Sequence, residues 1–389
     1  MSSPKPFAEL PAGCPPHRLS TTLKFEPPLD WHATLGCLTP RAIPGVEVVG
    51  DSTYSRTLST EGAFGLLRVT AGAKDELAVE LATNAEVKAS GLTRALRRLF
   101  DLDADLVAIA RHFDKDKLIG PLVHKRPGIR IPGCWDPFEL TIRVILGQQV
   151  SVPGATTLTG RVVRLHGQPL FEQAGIPGLT HAFPPPQALV GADLAAPVGL
   201  PRTRARSISG LAAAVASDPS LLADQGELDD VVARLVALPG IGPWTANYVA
   251  MRGLRKDDAF PESDLGLLRA ATKPGRERLK PSELLRLAER WRPLRGYPSD
   301  ASVAFGDRLG SPRDRPAFRA TRPVSLLEQG YSMASVVGGD EVCTPASARS
   351  MPKRIHSARR TGGRACRRHG YPTIPDRHGI DACQSNLAE

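Results

Sequence analysis

The 25 residues from Leu228 to Arg252 read LDDVVARLVALPGIGPWTANYVAMR. Leu228, Val231, Val232 and Leu235 recur at helical spacing, and Pro239 and Gly240 stop that helix. Gly242 then permits a second tight turn, and a new helix begins near Trp244. Such a glycine turn exposes backbone N–H groups beside a helix start, a geometry that holds a phosphate without any side chain. Glycine is needed wherever a Cβ would block the close approach. Gly240, Gly242 and Thr245 are therefore candidate phosphate contacts. Helix pairs around one glycine are common in ligand-free folds, but Leu-Pro-Gly-Ile-Gly followed by Thr245-Ala-Asn247 is a narrower pattern.

Downstream lie four carboxylates, Asp257, Asp258, Glu262 and Asp264. Ser263 is placed to cap a helix, which would put Asp264 in its first turn, where the helix dipole favours an anion. Spacing alone leaves Asp264 as either a surface carboxylate compensating that dipole or a reactive anion. Trp244 and Tyr248 stand one helical turn apart, so their rings face the same way. That arrangement serves plain cores as well as walls on which a planar group stacks.

The elements that must position these residues fall into four zones. Residues 1–18 are Pro-rich and patternless, a flexible leader. From 19 to 94, short β-branched or alternating segments at Val46–Val49, Leu66–Thr70 and Leu77–Leu81 are separated by turn residues, predicting a small, mixed α+β sheet domain. From 95 to 297 the apolar period becomes helical. There Asp136 as cap, Pro137 in the first turn and Glu139 three residues after the cap mark a helix running through Gly147-Gln-Gln-Val150. Residues 167–187, with Gly-Ile-Pro-Gly and three consecutive prolines, form a connecting loop. Residues 298–389 carry 14 Lys and Arg against 9 Asp and Glu with few apolar runs, the composition of a disordered basic tail. The fold class expected is α+β: the N-terminal sheet domain, a helical region, and that tail.

The 389 residues have a formal net charge of +10. That balance suits an anionic partner such as nucleic acid and equally a solvated Arg-rich surface. The six cysteines, at 14, 37, 134, 343, 366 and 383, are too scattered for a zinc or iron–sulfur signature and too sparse for a disulfide scaffold. No run approaches the roughly 18 apolar residues of a membrane span. The expectation is a soluble, cytoplasmic protein with reduced thiols, no metal and no membrane contact.

The hairpin resembles that of the helix-hairpin-helix DNA glycosylases, and within them the bacterial DNA-3-methyladenine glycosylase II (AlkA) type. The resemblance extends over residues 19–297 through Pro28–Trp31, Arg41–Glu47, Arg98–Leu102, Pro132–Cys134, Ile145–Val152 and Ala288–Pro293. It implies a monomeric base-excision enzyme that needs no cofactor. Such an enzyme flips alkylated purines out of double-stranded DNA and hydrolyses the N-glycosidic bond. It implies Asp264 as the catalytic carboxylate, stabilising an oxocarbenium-like sugar and orienting water, with Asp257, Asp258 and Glu262 as bystanders. Trp244 occupies the position where bifunctional relatives such as endonuclease III carry a Schiff-base lysine, so strand cleavage loses its nucleophile. Trp244, Tyr248, Gln148, Cys37 and Arg41 become the base pocket, and Gln149 the wedge that enters the gap left by the flipped nucleotide. An electron-rich wall suits a base made cationic by ring methylation. The rival is a non-catalytic or inactivated helix-hairpin-helix protein that only grips DNA.

The chain departs from the family pattern in three places. Gln149 stands where some members have an apolar wedge, and Cys37 where a pocket aromatic is expected. After Tyr297 the family continues into a closing helix with a Met-His-Leu-Trp-like run, whereas here Pro298-Ser-Asp-Ala-Ser-Val-Ala304 follows. Back-translated and read from the second base, that stretch gives CNT CNG AYG CNT CNG TNG, whose last four codons permit Met-His-Leu-Trp. This points to a reading-frame shift near Tyr297, with a final helix and one pocket tryptophan lost. It would also leave an apolar patch around Leu284, Leu287 and Trp291. The N-terminal region offers only Cys14 and Cys37, too few for the four-cysteine zinc site of the methyl-accepting regulator Ada.

Overall fold

A computed structural model of the chain describes residues 17–299, apart from 61–62, 171–175 and 273–274. The leader and the tail expected from the sequence lie outside the described residues, except at their inner ends. His17 and Arg18 already belong to strand β1 (His17–Lys24), and Pro298 and Ser299 are buried in the last helix.

Five antiparallel strands form the N-terminal sheet, in the order β1-β5-β4-β3-β2, with β2 at Glu47–Val49, β3 at Thr53–Thr60, β4 at Ala63–Ala71 and β5 at Glu76–Thr83. Helix α1 (Trp31–Leu38) lies between β1 and β2, and α2 (Ala89–Phe100) follows β5. The register His17↔Thr83 to Lys24↔Glu76 leaves β1 on an edge, with Leu23 its one buried residue, so no alternation announces it. Central β3 is equally illegible, because Ser55, Arg56 and Thr57 are as buried as Tyr54 and Leu58. One face of the sheet packs Leu58, Leu67, Val69 and Val79 against Leu92, Leu96, Leu99 and Phe100 of α2.

The helical region opens with α3 (Leu106–Phe113), α4 (Gly120–Lys125) and α5 (Pro137–Gly147). Asp136 caps α5 as the sequence predicts, its Oδ1 accepting the Glu139 N–H at 2.9 Å. The helix stops at Gly147, however, and not at Val150. Gln148 turns to ψ 120° and Gln149 enters the left-handed region at φ +58°, before Ser151 caps α6 (Val152–His166). The expected loop over 167–187 holds a two-stranded ladder, β6 (Gln168–Pro169) with β7 (His181–Ala182). Its Thr180 N–H bonds the Gly45 carbonyl at 2.8 Å. Short helices α7 (Pro186–Leu189) and α8 (Ala195–Val198) lead to α9 (Arg202–Ser217), then α10 (Leu228–Val236) and α11 (Pro243–Arg252). Val162, Ile208, Leu211, Val231, Leu235 and Val249 share one core. Finally α12 (Leu265–Ala271), α13 (Pro281–Ala288) and α14 (Gly296–Ser299) close on α3 and α4. Leu284 and Trp291, expected to face a missing helix, are instead buried in that cluster, and Trp291 Nε1 donates to Asp116 at 2.9 Å.

Sheet and helices are joined by buried charge. Arg56 on β3 donates to Glu139 on α5 at 2.7 Å and lies over the Trp135 ring at 4.7 Å, while Tyr54 donates to Glu47 at 2.5 Å. Burial pushes the Glu139 carboxyl up, against the pull of Arg56. Removing one partner of such a pair strands a buried charge, at a cost of about 3–5 kcal/mol.

Candidate active site at the helical hairpin

Helix α10 is held by Val231 and Leu235, both fully buried, and ends as the period predicts. The turn then closes through Ile241 N–H to the Leu238 carbonyl at 3.2 Å, with Gly240 at φ +77°. A Cβ on Gly240 would stand 2.4 Å from that of Ser207, so packing on α9 as well as backbone conformation demands glycine there. Gly242 differs from the expectation. It is ordinary extended backbone at φ −92°, ψ 176°, serving as the N-cap of α11, and a Cβ on it would meet nothing within 4 Å. Its face is simply open. Because Pro243 has no N–H and no side chain caps α11, the first-turn N–H groups of Trp244 and Thr245 are left for an external acceptor. Thr245 as a whole is buried, so its hydroxyl is not offered to a phosphate and the exposed part of this helix start is at Gly242 and Pro243.

One turn into α11, Trp244 and Tyr248 stack with ring centroids 5.4 Å apart and an interplanar angle of 28°. Behind them pack Cys134, Leu140 and Val144, and the Arg252 guanidinium lies 5.5 Å over the Tyr248 ring. Burial pushes the Cys134 thiol up to about 12, which makes it packing and not a nucleophile. Cys134 is reached through Gly133, where a Cβ would fall 2.5 Å from the Arg98 carbonyl and 3.0 Å from that of Arg252. The Pro132–Cys134 segment is thus threaded between α2 and α11.

Asp264 meets this wall directly: Trp244 Nε1 donates to its Oδ2 at 3.2 Å. Its Oδ1 accepts the Leu267 N–H at 2.9 Å, so Asp264 is itself the N-cap of α12. The expected arrangement, with Ser263 as cap and Asp264 in the first turn, is off by one residue, because the longer-reaching carboxylate takes the capping bond. Asn247 brings the two elements together, its Oδ1 accepting the Phe260 N–H at 3.2 Å and its Nδ2 donating to the Pro243 carbonyl at 3.1 Å. Of the other carboxylates, Asp258 is engaged by Arg292 and by Arg295 at 2.9 Å, and Asp257 accepts the Gly296 N–H on its backbone carbonyl at 2.7 Å. Glu262 is half-buried.

The remaining sequence candidates stand around this centre. Gln148 is assigned to the base pocket by resemblance, but the structure turns its amide to the hairpin, where Nε2 donates to the Gly240 carbonyl at 3.0 Å and to Thr245 Oγ1 at 3.2 Å. Gln149 is exposed at the tip between α5 and α6. Cys37 and Arg41 stand one step out: Arg41 donates to the Cys37 carbonyl at 2.9 Å, and Arg143, next to Val144 on α5, donates to the Arg41 carbonyl. Sequence reasoning missed Arg204 and Ser207, and it saw Asn247 only as part of the hairpin pattern, without its bridge to Phe260. The Arg-rich start of α9 is visible in the sequence, but not the face it turns to the hairpin.

Among the described residues no group of three or more His, Cys, Asp or Glu is placed to hold a metal ion, and no helix is long and apolar enough to cross a membrane. Two cavities, of about 570 and 1190 Å³, lie away from Asp264. The first is beside Arg56 and Trp135, the second beside Arg97 and Arg255. Trp244 and Tyr248 are both half-buried.

The AlkA N-terminal domain model matches residues 20–136. The chain is 39% identical over 280 residues to a probable bifunctional transcriptional activator/DNA repair enzyme AlkA of Mycobacterium tuberculosis, a match covering 72% of this chain and 55% of that protein. It thus spans about half the length of that relative. It is 37% identical to DNA-3-methyladenine glycosylase 2 of Escherichia coli, over 71% of this chain and 94% of that one. The 3-methyladenine DNA glycosylase of Archaeoglobus fulgidus shares the fold, with a TM-score of 0.63 at 21% identity, over 73% of this chain and 97% of that one. With the hairpin, the stacked wall and the antiparallel sheet all in place, the chain belongs to the DNA-3-methyladenine glycosylase II (AlkA) family of helix-hairpin-helix DNA glycosylases.

Proposed function

We propose that the chain is a monofunctional DNA glycosylase that extrudes alkylated purines of the 3-methyladenine kind from duplex DNA and hydrolyses the N-glycosidic bond. The observation that carries this is the bond from the Trp244 indole to Asp264, which fixes a carboxylate at the edge of a stacked aromatic wall. The first-turn N–H groups of α11 take a phosphate, and Gln149 enters the helix where the nucleotide leaves it. The extruded base lies on Trp244, attracted more strongly when methylation has made it cationic. As its glycosidic bond breaks, positive charge develops on the sugar, facing Asp264, which stabilises it and directs water to the anomeric carbon. With an indole and no amine at position 244, no Schiff base forms and the strand stays intact. The reading includes action as a monomer, without metal or cofactor, in the cytoplasm at the nucleoid.

The test is incubation of the full chain with duplex DNA carrying a methylated purine. Free base and an intact abasic strand are expected. A covalent adduct trapped by borohydride would overturn the monofunctional reading. We also propose that the reading frame shifts near Tyr297, which favours the rival reading of a DNA-binding chain with lowered or lost activity. Sequencing the gene around codon 297 and restoring the alternative frame should raise base release. Loss of release on deleting residues 300–389 from the chain would instead make that segment functional.

A further inference from the structure

The tip between α5 and α6 and the hairpin turn are bonded to each other and to one face of α9. The single Gln148 amide spends its donors on the Gly240 carbonyl and the Thr245 hydroxyl, at 3.0 and 3.2 Å, and the Gln148 main-chain carbonyl accepts from Arg204 Nη2 at 2.7 Å. One turn along α9, Ser207 abuts Gly240, and a Cβ on Gly210 would lie 3.1 Å from Pro239 Cγ. The next residue after this junction is Gln149, exposed and at φ +58°. A side chain persists in that conformation only where its surroundings over-determine it.

We propose that Gln148 is a positioning residue that couples phosphate capture at the hairpin to the depth and direction at which Gln149 enters the duplex. The inference rests on the glycosylase reading and adds to it. Its carbonyl partner, Gly240, lies in the hairpin turn and its hydroxyl partner, Thr245, in the first turn of α11, whose N–H groups face the phosphate; the first bond is exposed and the second part-buried, and together they tie the tip to the hairpin. Without the junction, the hairpin still grips DNA, but the tip no longer arrives at a set height. The loss therefore falls on extrusion of the base and not on affinity.

The experiment compares the full chain with Gln148→Met, which keeps length and volume but removes the donor, and with Arg204→Met, which releases the other bond. The probe is duplex DNA with 2-aminopurine beside a 7-methylguanine, either paired or placed in a bulge where extrusion costs less. For Gln148→Met, affinity for undamaged duplex should stay within about twofold with an unchanged salt slope. The 2-aminopurine signal and single-turnover base release on the paired lesion should fall about 10–100-fold, as for loss of two hydrogen bonds, one exposed and one part-buried. Both should recover on the bulged lesion, and Arg204→Met should give the same pattern with a smaller loss. An equal loss on paired and bulged DNA, weakened binding to undamaged duplex, or wild-type extrusion would each overturn the coupling. If the unmutated chain releases no base from either duplex, the glycosylase reading fails, and the 2-aminopurine signal still decides the coupling.

Discussion

A carboxylate in water makes hydrogen bonds in every direction, whereas Asp264 is aimed by two fixed donors, the Leu267 N–H on one oxygen and the Trp244 indole on the other. Asp264→Asn keeps the size but removes the charge that, on the proposed function, meets the oxocarbenium-like sugar. Base release should fall by about two to four orders of magnitude with DNA affinity preserved, measured as single-turnover release beside a binding isotherm. Wild-type release by that variant would remove Asp264 from its role. Trp244→Phe separates the indole's two duties, keeping a ring to stack on and losing the N–H that aims the carboxylate. About a tenfold lower rate at unchanged affinity is expected, and an affinity loss of the same size would make the ring the more important part. At this scale the sequence was informative about residue types and off by one about geometry. Ser263 looked like the cap because serine is a common one, and only the folded backbone shows the Asp264 oxygen reaching Leu267.

The helical hairpin is an element whose two glycines have different duties. Gly240 is confined by its left-handed backbone and by Ser207, while Gly242 sits in open extended backbone. Gly240→Val should therefore displace the turn and weaken binding by a similar factor on every DNA sequence, since phosphate contacts read no bases. The salt slope should drop by about one unit. A loss confined to particular sequences would argue for base contacts at the turn. Gly242→Ala should be far milder in the same assay. The hairpin was legible because a helical stripe, a Pro-Gly stop and a second glycine before the next helix each leave a local mark. Strand β3 was not, because a central strand that buries Arg56 and Thr57 shows neither alternation nor an apolar run. The stop of α5 at Gly147 was also hidden, since it is held by contacts of Gln148 with a turn more than ninety residues away.

For the molecule as a whole, acid is an informative perturbant. Burial acts to raise the Asp116 carboxyl, but the N–H groups of Ile119 and Leu118, the Trp291 indole and Arg290 together hold it below the usual carboxylate range. A depressed value in the folded state means stability that is present above the unfolded value, about pH 3.9, and is lost as pH falls through the folded one. Asp116→Asn should cost about 1.5–3 kcal/mol near neutrality, and in melts from neutral pH into acid that deficit should shrink as the wild-type carboxyl is protonated. A deficit constant with pH would mean that shape, and not charge, fastens Trp291. The Arg56–Glu139 junction carries a different consequence, for inheritance. The first turn of α5 is moored in the sheet domain, and its far end bears the tip that the proposed function sends into DNA, so the two halves cannot drift apart in sequence space one substitution at a time. A lineage that replaces Arg56 must replace Glu139 in step, for instance by a matched apolar pair, and a chimera that grafts a foreign sheet onto these helices must carry over the partner of position 139 or inherit an orphaned charge at the root of the α5–α6 tip.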